Sequence, residues 1–409
     1  MFEPVSVARE ITGVGRNLLL CGDGAAPLCP QLQPYAAQAQ CVYIDPPFMT
    51  GDSFTRRRRF GQSGWKTGRP SPEYPAYADR YGTREAYLAF LRGLIENAHR
   101  LLNRTGVLAL HLDWHTSAYG RLICDEVFGE ELFLNEIIWA YESGGRAKKY
   151  FSRKHDTILL YARTKDYFFD LRRVPLERTE HRKNHMRRSV DENGRAYSEI
   201  KTGGKVYRYY DDAPVYPGDV WTDISHLQQR DPERTGYATQ KPQKLLDRIL
   251  RPVVNNGDLV IDLCCGSGTA LAAAQMLNCR FVGVDSSPEA ILTTASRLDN
   301  ADLTIDCPCT LDETRLEGMY TGPGGMLLLT GFDAAHPSFP RTEQAMDALE
   351  SWSAGHITDS GFMVDQTFRR TTRQPELPLF CLLAEGRGKP GVSTVDAAGR
   401  RRVFKWVEE

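Results

Sequence analysis

Leu259-Val260-Ile261-Asp262-Leu263-Cys264-Cys265-Gly266-Ser267-Gly268-Thr269, followed by Ala270 to Leu277, reads as a strand, a glycine-rich turn and a helix. Glycines at 266 and 268 let the backbone come close to a ligand, and the amino end of the helix behind them offers unpaired N–H groups. Arg280-Phe281-Val282-Gly283-Val284-Asp285 then forms a second strand ending in an acid. Asp285 follows Gly266 by 19 residues, the place where a carboxylate meets ribose hydroxyls in a βαβ unit. The expected fold class is therefore α/β, a Rossmann-like doubly wound and mostly parallel sheet. A dinucleotide site would want a third glycine close to position 271, where this chain has Leu271. Asp262 before the turn also suits a ligand with a positive amine better than a pyrophosphate.

Further back, Cys41-Val42-Tyr43-Ile44 has the length and composition of another buried parallel strand. It stops at Asp45-Pro46-Pro47-Phe48, because prolines cannot donate to a sheet ladder and force an extended exit. Asp45 is thus held at the carboxyl end of a strand, where open α/β sheets place their ligands. A carboxylate, a proline carbonyl and an aromatic ring together suit a planar group with an amino substituent. The two oxygens accept its N–H bonds and the ring covers its flat face.

Asp45-Pro46-Pro47-Phe48 resembles the catalytic motif of the amino-methyltransferases that modify adenine N6 in DNA. Met49-Thr50-Gly51 is similar to the loop of type III modification subunits, and the glycine-rich turn resembles the same enzymes' S-adenosylmethionine motif. Thr239-Gln240-Lys241-Pro242 resembles the segment that closes over the methionine end of that cofactor. The catalytic motif comes first, then a basic segment, then Lys-Pro, then the glycine-rich turn. That order resembles the permuted, or β, group of DNA amino-methyltransferases, over about residues 15–300.

The resemblance implies a site-specific DNA methyltransferase that moves a methyl group from S-adenosylmethionine to adenine N6 of a flipped base. Asp45, Pro46, Pro47 and Phe48 would be catalytic. Asp23, Thr239, Lys241, Asp262, Cys264, Gly266, Ser267, Gly268, Thr269 and Asp285 would surround the cofactor. Asn17-Leu18-Leu19-Leu20-Cys21-Gly22-Asp23 reads as an apolar strand ending in Gly-Asp, and Asp23 reads equally well as a turn aspartate; Cys264 and Cys265 read as cavity lining without a catalytic role. Cytosine-N4 enzymes more often carry Ser in place of Asp45, and protein-glutamine enzymes Asn. The alternatives are a cytosine-N4 enzyme, an RNA methyltransferase, or a catalytically silent DNA-binding specificity protein.

The 409 residues suggest two or three domains, and 41% hydrophobic and 25% charged residues are ordinary for a globular chain. A net charge of −1 gives no global basic field, so a nucleic-acid surface must come from local clusters. Arg56, Arg57, Arg58, Arg59, Lys66 and Arg69 form one such cluster without an acid, placed where phosphates would pass. Residues 146–208 form the other, with eighteen Arg and Lys against eight Asp and Glu, interleaved with tyrosines. Arg146, Lys148, Lys149 and Arg153 are its expected DNA contacts.

Four parts follow: a catalytic half (1–145), an inserted target-recognition segment (146–235), a cofactor-binding half (236–302) and a small C-terminal α+β or β domain (303–409). Helical spacing predicts a helix over Thr83–Leu102 and another over Tyr119–Phe128. Val107–Asp113, Asn135–Ala140 and Ile158–Tyr161 read as strands, Glu343–Trp352 as a short helix, and the chain around Ala398-Gly399 as a closing hairpin. His111 and His115 lack a third ligand and read as structural or loop residues. The ten scattered cysteines show no zinc spacing and read as reduced thiols. With neither a signal pattern nor a membrane-length apolar run, a cytoplasmic location is expected. Double-stranded DNA is the expected partner; a restriction or specificity subunit, or a second copy of the chain, is left open.

Overall fold

The computed structural model describes all residues except 52, 58–61, 63–65, 67–72, 80, 143–146, 177–186, 229–230, 238, 299–301, 335–344 and 409. Seven strands form the heart of the molecule: β1 (Asn17–Cys21), β2 (Ala39–Ile44), β3 (Leu102–Asp113), β4 (Phe133–Ala140), β5 (His155–Ala162), β6 (Leu259–Asp262) and β7 (Arg280–Asp285). They lie in the order β1-β7-β6-β2-β3-β5-β4. The first five of that order run parallel, whereas β5 is antiparallel to both its neighbours. From β6 the chain builds outward through β7, and from β2 outward through β3. The reversal therefore falls between β6 and β2, the switch point where doubly wound sheets open a crevice.

Every residue of β2 and β6 is buried. Strands buried on both faces need helices on both. Val42 and Ile44 face α1 (Arg84–Leu101) and α2 (Ser117–Phe128), meeting Tyr87, Leu91, Leu94 and Ile123. Cys41 and Tyr43 point to the other side, towards α3 (Gln243–Leu250), α4 (Thr269–Met276) and α5 (Pro288–Arg297), with Leu245, Leu246, Leu271 and Ile291. The α1 boundary follows its cap: the Thr83 hydroxyl accepts from the Ala86 N–H, one residue inside the predicted start.

β5 contains the predicted Ile158–Tyr161 strand and lies inside the 146–235 stretch, so part of that stretch belongs to the central sheet. Beyond it, Arg187–Val190, Ala196–Thr202 and Lys205–Tyr210 form a separate antiparallel sheet. Several basic residues here are tied to nearby acids, including Arg188 to Asp211 and Arg195 to Asp212.

The C-terminal strands continue the central sheet, which reaches fifteen strands among the described residues. Leu303–Asp306 pairs with β1, Arg9–Thr12 with Leu303–Asp306, and Gly361–Arg369 with Arg9–Thr12. Leu349–Thr358, Lys389–Asp396, Arg401–Trp406 and Phe2–Val5 complete the series. The hairpin around Ala398-Gly399 is present, between Lys389–Asp396 and Arg401–Trp406. The helix predicted over Glu343–Trp352 is not: residues 343–344 lie outside the described set, Ala345–Ala348 is a single 3-10 turn, and a strand begins at Leu349. Ala345, Ala348, Leu349 and Trp352 have helical spacing, but pairing on both edges draws the segment into the sheet.

A buried charge cluster locks this end. Arg402, 1% exposed, donates to both oxygens of Asp312 at 2.8 and 2.6 Å and to Asp396 at 2.8 Å. Removing one partner of a buried set strands the others. Arg402→Ala is expected to lower unfolding stability by on the order of 3–5 kcal/mol in urea titration, while Lys405→Ala, on an exposed pair, shifts it by less than about 1 kcal/mol.

Candidate active site

The spatial question posed by the sequence is whether the two loops meet. β2 and β6 pair in parallel with Asp262 opposite Tyr43, so their carboxyl ends lie side by side. Asp45 and Pro47 line one crevice together with Asp262, Cys264, Gly266, Ser267 and Thr269. Asp23, Thr239, Lys241 and Asp285 line it too. The Asp23 carboxylate also accepts the Ala25 N–H at 2.9 Å, so it closes a turn and borders the crevice at once.

Lys241 stands at the centre. Its ammonium donates to both oxygens of Asp45, at 2.8 and 2.6 Å, and lies 5.1 Å from the centre of the Phe48 ring. Both side chains of the pair are mostly withdrawn from water, at 12% and 17% exposure. The segment expected to reach a cofactor's methionine end thus delivers its charge to the Asp45 carboxylate. Thr269 fixes Lys241 from behind, its hydroxyl donating to the Lys241 carbonyl at 3.2 Å. Arg297 in turn donates to Thr269 Oγ1 at 2.8 Å and to Glu233 at 3.1 Å.

Among the described residues lining the crevice there are four carboxylates, Asp23, Asp45, Asp262 and Asp285, against one cation, Lys241. Burial pushes the Asp262 carboxyl well up from the usual carboxylate range, and Asp45 and Asp285 push it the same way. Burial raises Asp285 to about 6, against N–H bonds from Ser287 at 2.9 Å and Gly266 at 2.8 Å. Burial, with Asp285, Asp262, Asp45 and Asp23 around it, also holds the Cys264 thiol well above its ordinary value, so it stays protonated. Such a crevice repels anions and favours a cationic ligand.

The glycine-rich turn fits close approach. Gly268 caps α4 at φ +73°, and a Cβ there would sit 2.6 Å from Thr294 Cγ2.

Asp79 is the residue that sequence reasoning missed. It is 1% exposed and accepts N–H bonds from Phe48 (3.1 Å), Met49 (2.8 Å) and Thr50 (2.9 Å), plus the Thr50 hydroxyl at 2.9 Å. One carboxylate therefore gathers three successive amides of the loop after the two prolines, and Met49 takes a left-handed φ of 56° to allow it. Asp79 lies in the aperiodic stretch 52–82, where nothing in the sequence marks it.

The floor is a buried polar chain. Tyr43 Oη and His111 Nδ1 are 2.9 Å apart, His111 Nε2 lies 3.0 Å from Asp156, and the Tyr141 hydroxyl donates to Asp156 at 3.0 Å. His115 Nδ1 lies 3.2 Å from the Phe48 carbonyl. Both histidines thus have defined partners in the framework behind the loop.

The basic residues divide. Arg56 and Arg57 belong to the strand Ser53–Arg57, but their side chains lie outside the described residues, as do Arg58, Arg59 and Arg146. Lys148, Lys149 and Arg153 are exposed on the loop that leads into β5.

Residues 39–296 match the family described as DNA methylase, of the N6/N4 type. The chain belongs to this DNA methylase family. The methylase is 26% identical over 337 residues to the type II methyltransferase M.EcaI of Enterobacter cloacae, covering 71% of each chain. It is 26% identical over 277 residues to the DNA adenine methyltransferase YhdJ of Escherichia coli, covering 65% of this chain and 78% of that one. Over 161 residues it is 27% identical to the EcoPI Mod subunit of a type III restriction-modification enzyme from Escherichia phage P1, covering 37% of this chain and 25% of that one. Among solved structures, the M1.HpyAVI–SAM complex overlaps with a TM-score of 0.42 at 14% identity, covering 69% of this chain and 98% of that one. The PvuII DNA methyltransferase (cytosine-N4-specific) gives 0.44 at 14%, covering 74% and 92%.

Replacing Asp79 leaves three amides and a hydroxyl without their acceptor. Asp79→Ala is expected to cut methyl transfer at least about 100-fold, since misplacement of a reacting group by an ångström costs that much. The circular dichroism of the folded chain should be unchanged; activity within threefold of the parent would show that the loop holds its shape without this anchor.

Proposed function

We propose that this DNA methylase transfers the methyl group of S-adenosylmethionine to adenine N6 of a base rotated out of the duplex. The observation that carries the reading is the crevice at the switch point, lined among the described residues by four carboxylates and one lysine, with Asp45 in its wall and the Phe48 ring beside Lys241. The residues present suit the donor. Asp285, backed by the N–H of Gly266, stands where ribose hydroxyls would bind. Asp262 and Asp23 supply negative charge for a cationic ligand, and the turn at Gly266–Gly268 admits it closely. S-adenosylmethionine, when bound, supplies a methyl group on a positive sulfonium.

The chain's own part is placement. Asp45 and the Pro46 carbonyl accept the amino hydrogens of the base, turning the nitrogen lone pair towards the methyl. Phe48 covers the flat face. Lys241 holds Asp45 aimed through its two bonds to the carboxylate, and gives up at least one of them when the amino group arrives. Extruding a base costs roughly a few kcal/mol, whereas fixed orientation of the reactants can supply on the order of 7–11 kcal/mol. Once the amino nitrogen carries the methyl group, its surplus proton passes to Asp45 or water.

Adenine is favoured over cytosine because Asp occupies position 45, the residue that in this family accompanies N6 chemistry. Duplex DNA incubated with the protein and the methyl donor, then digested to nucleosides, should show N6-methyladenine by mass spectrometry. N4-methylcytosine would overturn the base assignment, and no methylated nucleoside would overturn the activity. Asp45→Ala should lower transfer by at least about 1000-fold, with donor affinity by calorimetry within tenfold of the parent.

Donor binding should also depend on pH. Burial raises Asp285 to about 6, so below that value it is protonated and accepts ribose hydroxyls poorly. Affinity is expected to rise about tenfold per pH unit up to about 6 and level off above it. In Asp285→Asn the slope disappears and affinity stays low; a parent profile flat from pH 5 to 7 would contradict this role.

A further inference from the structure

The turn after β3 touches the Asp45 loop, through His115 Nδ1 and the Phe48 carbonyl. Its preceding residue, Trp114, is 43% exposed. The Arg153 guanidinium lies 3.8 Å over the Trp114 ring and 4.8 Å from the Tyr150 ring, stacking the loop 147–154 onto this edge. The pairing of β3 with β5 sets Asp113 opposite Asp156, three residues beyond Arg153. The Ala147 N–H donates to Ser152 Oγ at 3.1 Å, closing the loop so that Lys148, Lys149, Tyr150 and Phe151 form its tip. Phe151 is 99% exposed and Tyr150 62%.

Tyr150 and Phe151 thus present two adjacent rings to solvent, on a loop braced against the turn that touches the Asp45 loop, and contiguous exposed apolar surface of this kind marks an interaction site. Two lysines beside it match the charge of a phosphate backbone. Apolar rings that enter a duplex lodge between base steps and take up the stacking lost on opening.

We infer that Phe151 is a wedge: it enters the DNA stack beside the target and fills the space left by the extruded base, with Lys148 and Lys149 on the flanking phosphates and the Trp114–Arg153–Tyr150 stack holding the loop upright. The occupant is duplex DNA, and the assignment rests on the function proposed above. Phe151 is a positioning residue; it acts on the opening of the base pair and leaves the transfer itself to Asp45.

That division gives the test. Two duplexes carry the sequence that the protein methylates, as mapped by methylation-sensitive sequencing. In one the target base is paired, and in the other it faces an abasic site and is already free to leave the stack. Phe151→Ala should lower single-turnover methylation of the paired duplex about 10- to 100-fold, the loss expected for one stacking ring, and change the abasic duplex by less than twofold. Phe151→Trp should restore the paired duplex. 2-Aminopurine at the target should lose its fluorescence rise in the alanine variant and keep it in the tryptophan variant. An equal fall on both duplexes, or no fall on either, overturns the wedge. So does unchanged methylation with a change in sedimentation, which would assign Phe151 to contact between two copies of the chain. If the parent methylates neither duplex, the proposed activity fails and the wedge with it; if the parent methylates both, only the wedge is at stake.

Discussion

The site depends on an imbalance of charge in a place with little water. Among the described residues, four aspartates converge on the crevice between β2 and β6, and one lysine answers them. Lys241 spends its charge on Asp45, which leaves Asp262 and Asp285 buried and poorly compensated, as the upward push on both carboxyls shows. A fold tolerates such a deficit where a positive ligand completes it. The order of strands explains why the acids meet: Asp262 and Asp285 end β6 and β7, Asp45 follows β2, and these strands are neighbours pointing the same way.

Around this charge the chain builds stiffness without regular structure. Two prolines remove freedom directly after Asp45, and Asp79 gathers the three amides that follow them. Beneath them the Tyr43–His111–Asp156 chain gives each polar group a partner where an unpaired one would be costly. The loop that presents Asp45 and Phe48 is therefore fixed before any substrate arrives, which is how a site gains rate from orientation.

Much of this was legible in the sequence. The apolar runs at Cys41–Ile44 and Leu259–Asp262, each ending in an acid and a helix-breaking or glycine-rich turn, specify parallel strands and a ligand edge through short-range chemistry. Thr83 announced the start of α1 for the same reason. What escaped was the long-range pairing. Asp79 has no periodic neighbours to mark it, and its role exists only because the chain doubles back 30 residues later onto Met49. The Lys241–Asp45 pair spans 196 positions, and motif resemblance had assigned that lysine to a ligand. Around Leu349, helical spacing lost to the edges of an existing sheet, a competition that no window of sequence records.

The pairing of Phe2–Val5 with Arg401–Trp406, and of Arg9–Thr12 with Gly361–Arg369, has a consequence for folding. Each joins segments about 350 to 400 residues apart along the chain. Contacts of such long separation must close a large loop before they are rewarded, so they form late. Until they form, these strands keep unpaired edges for which chaperones or aggregation can compete.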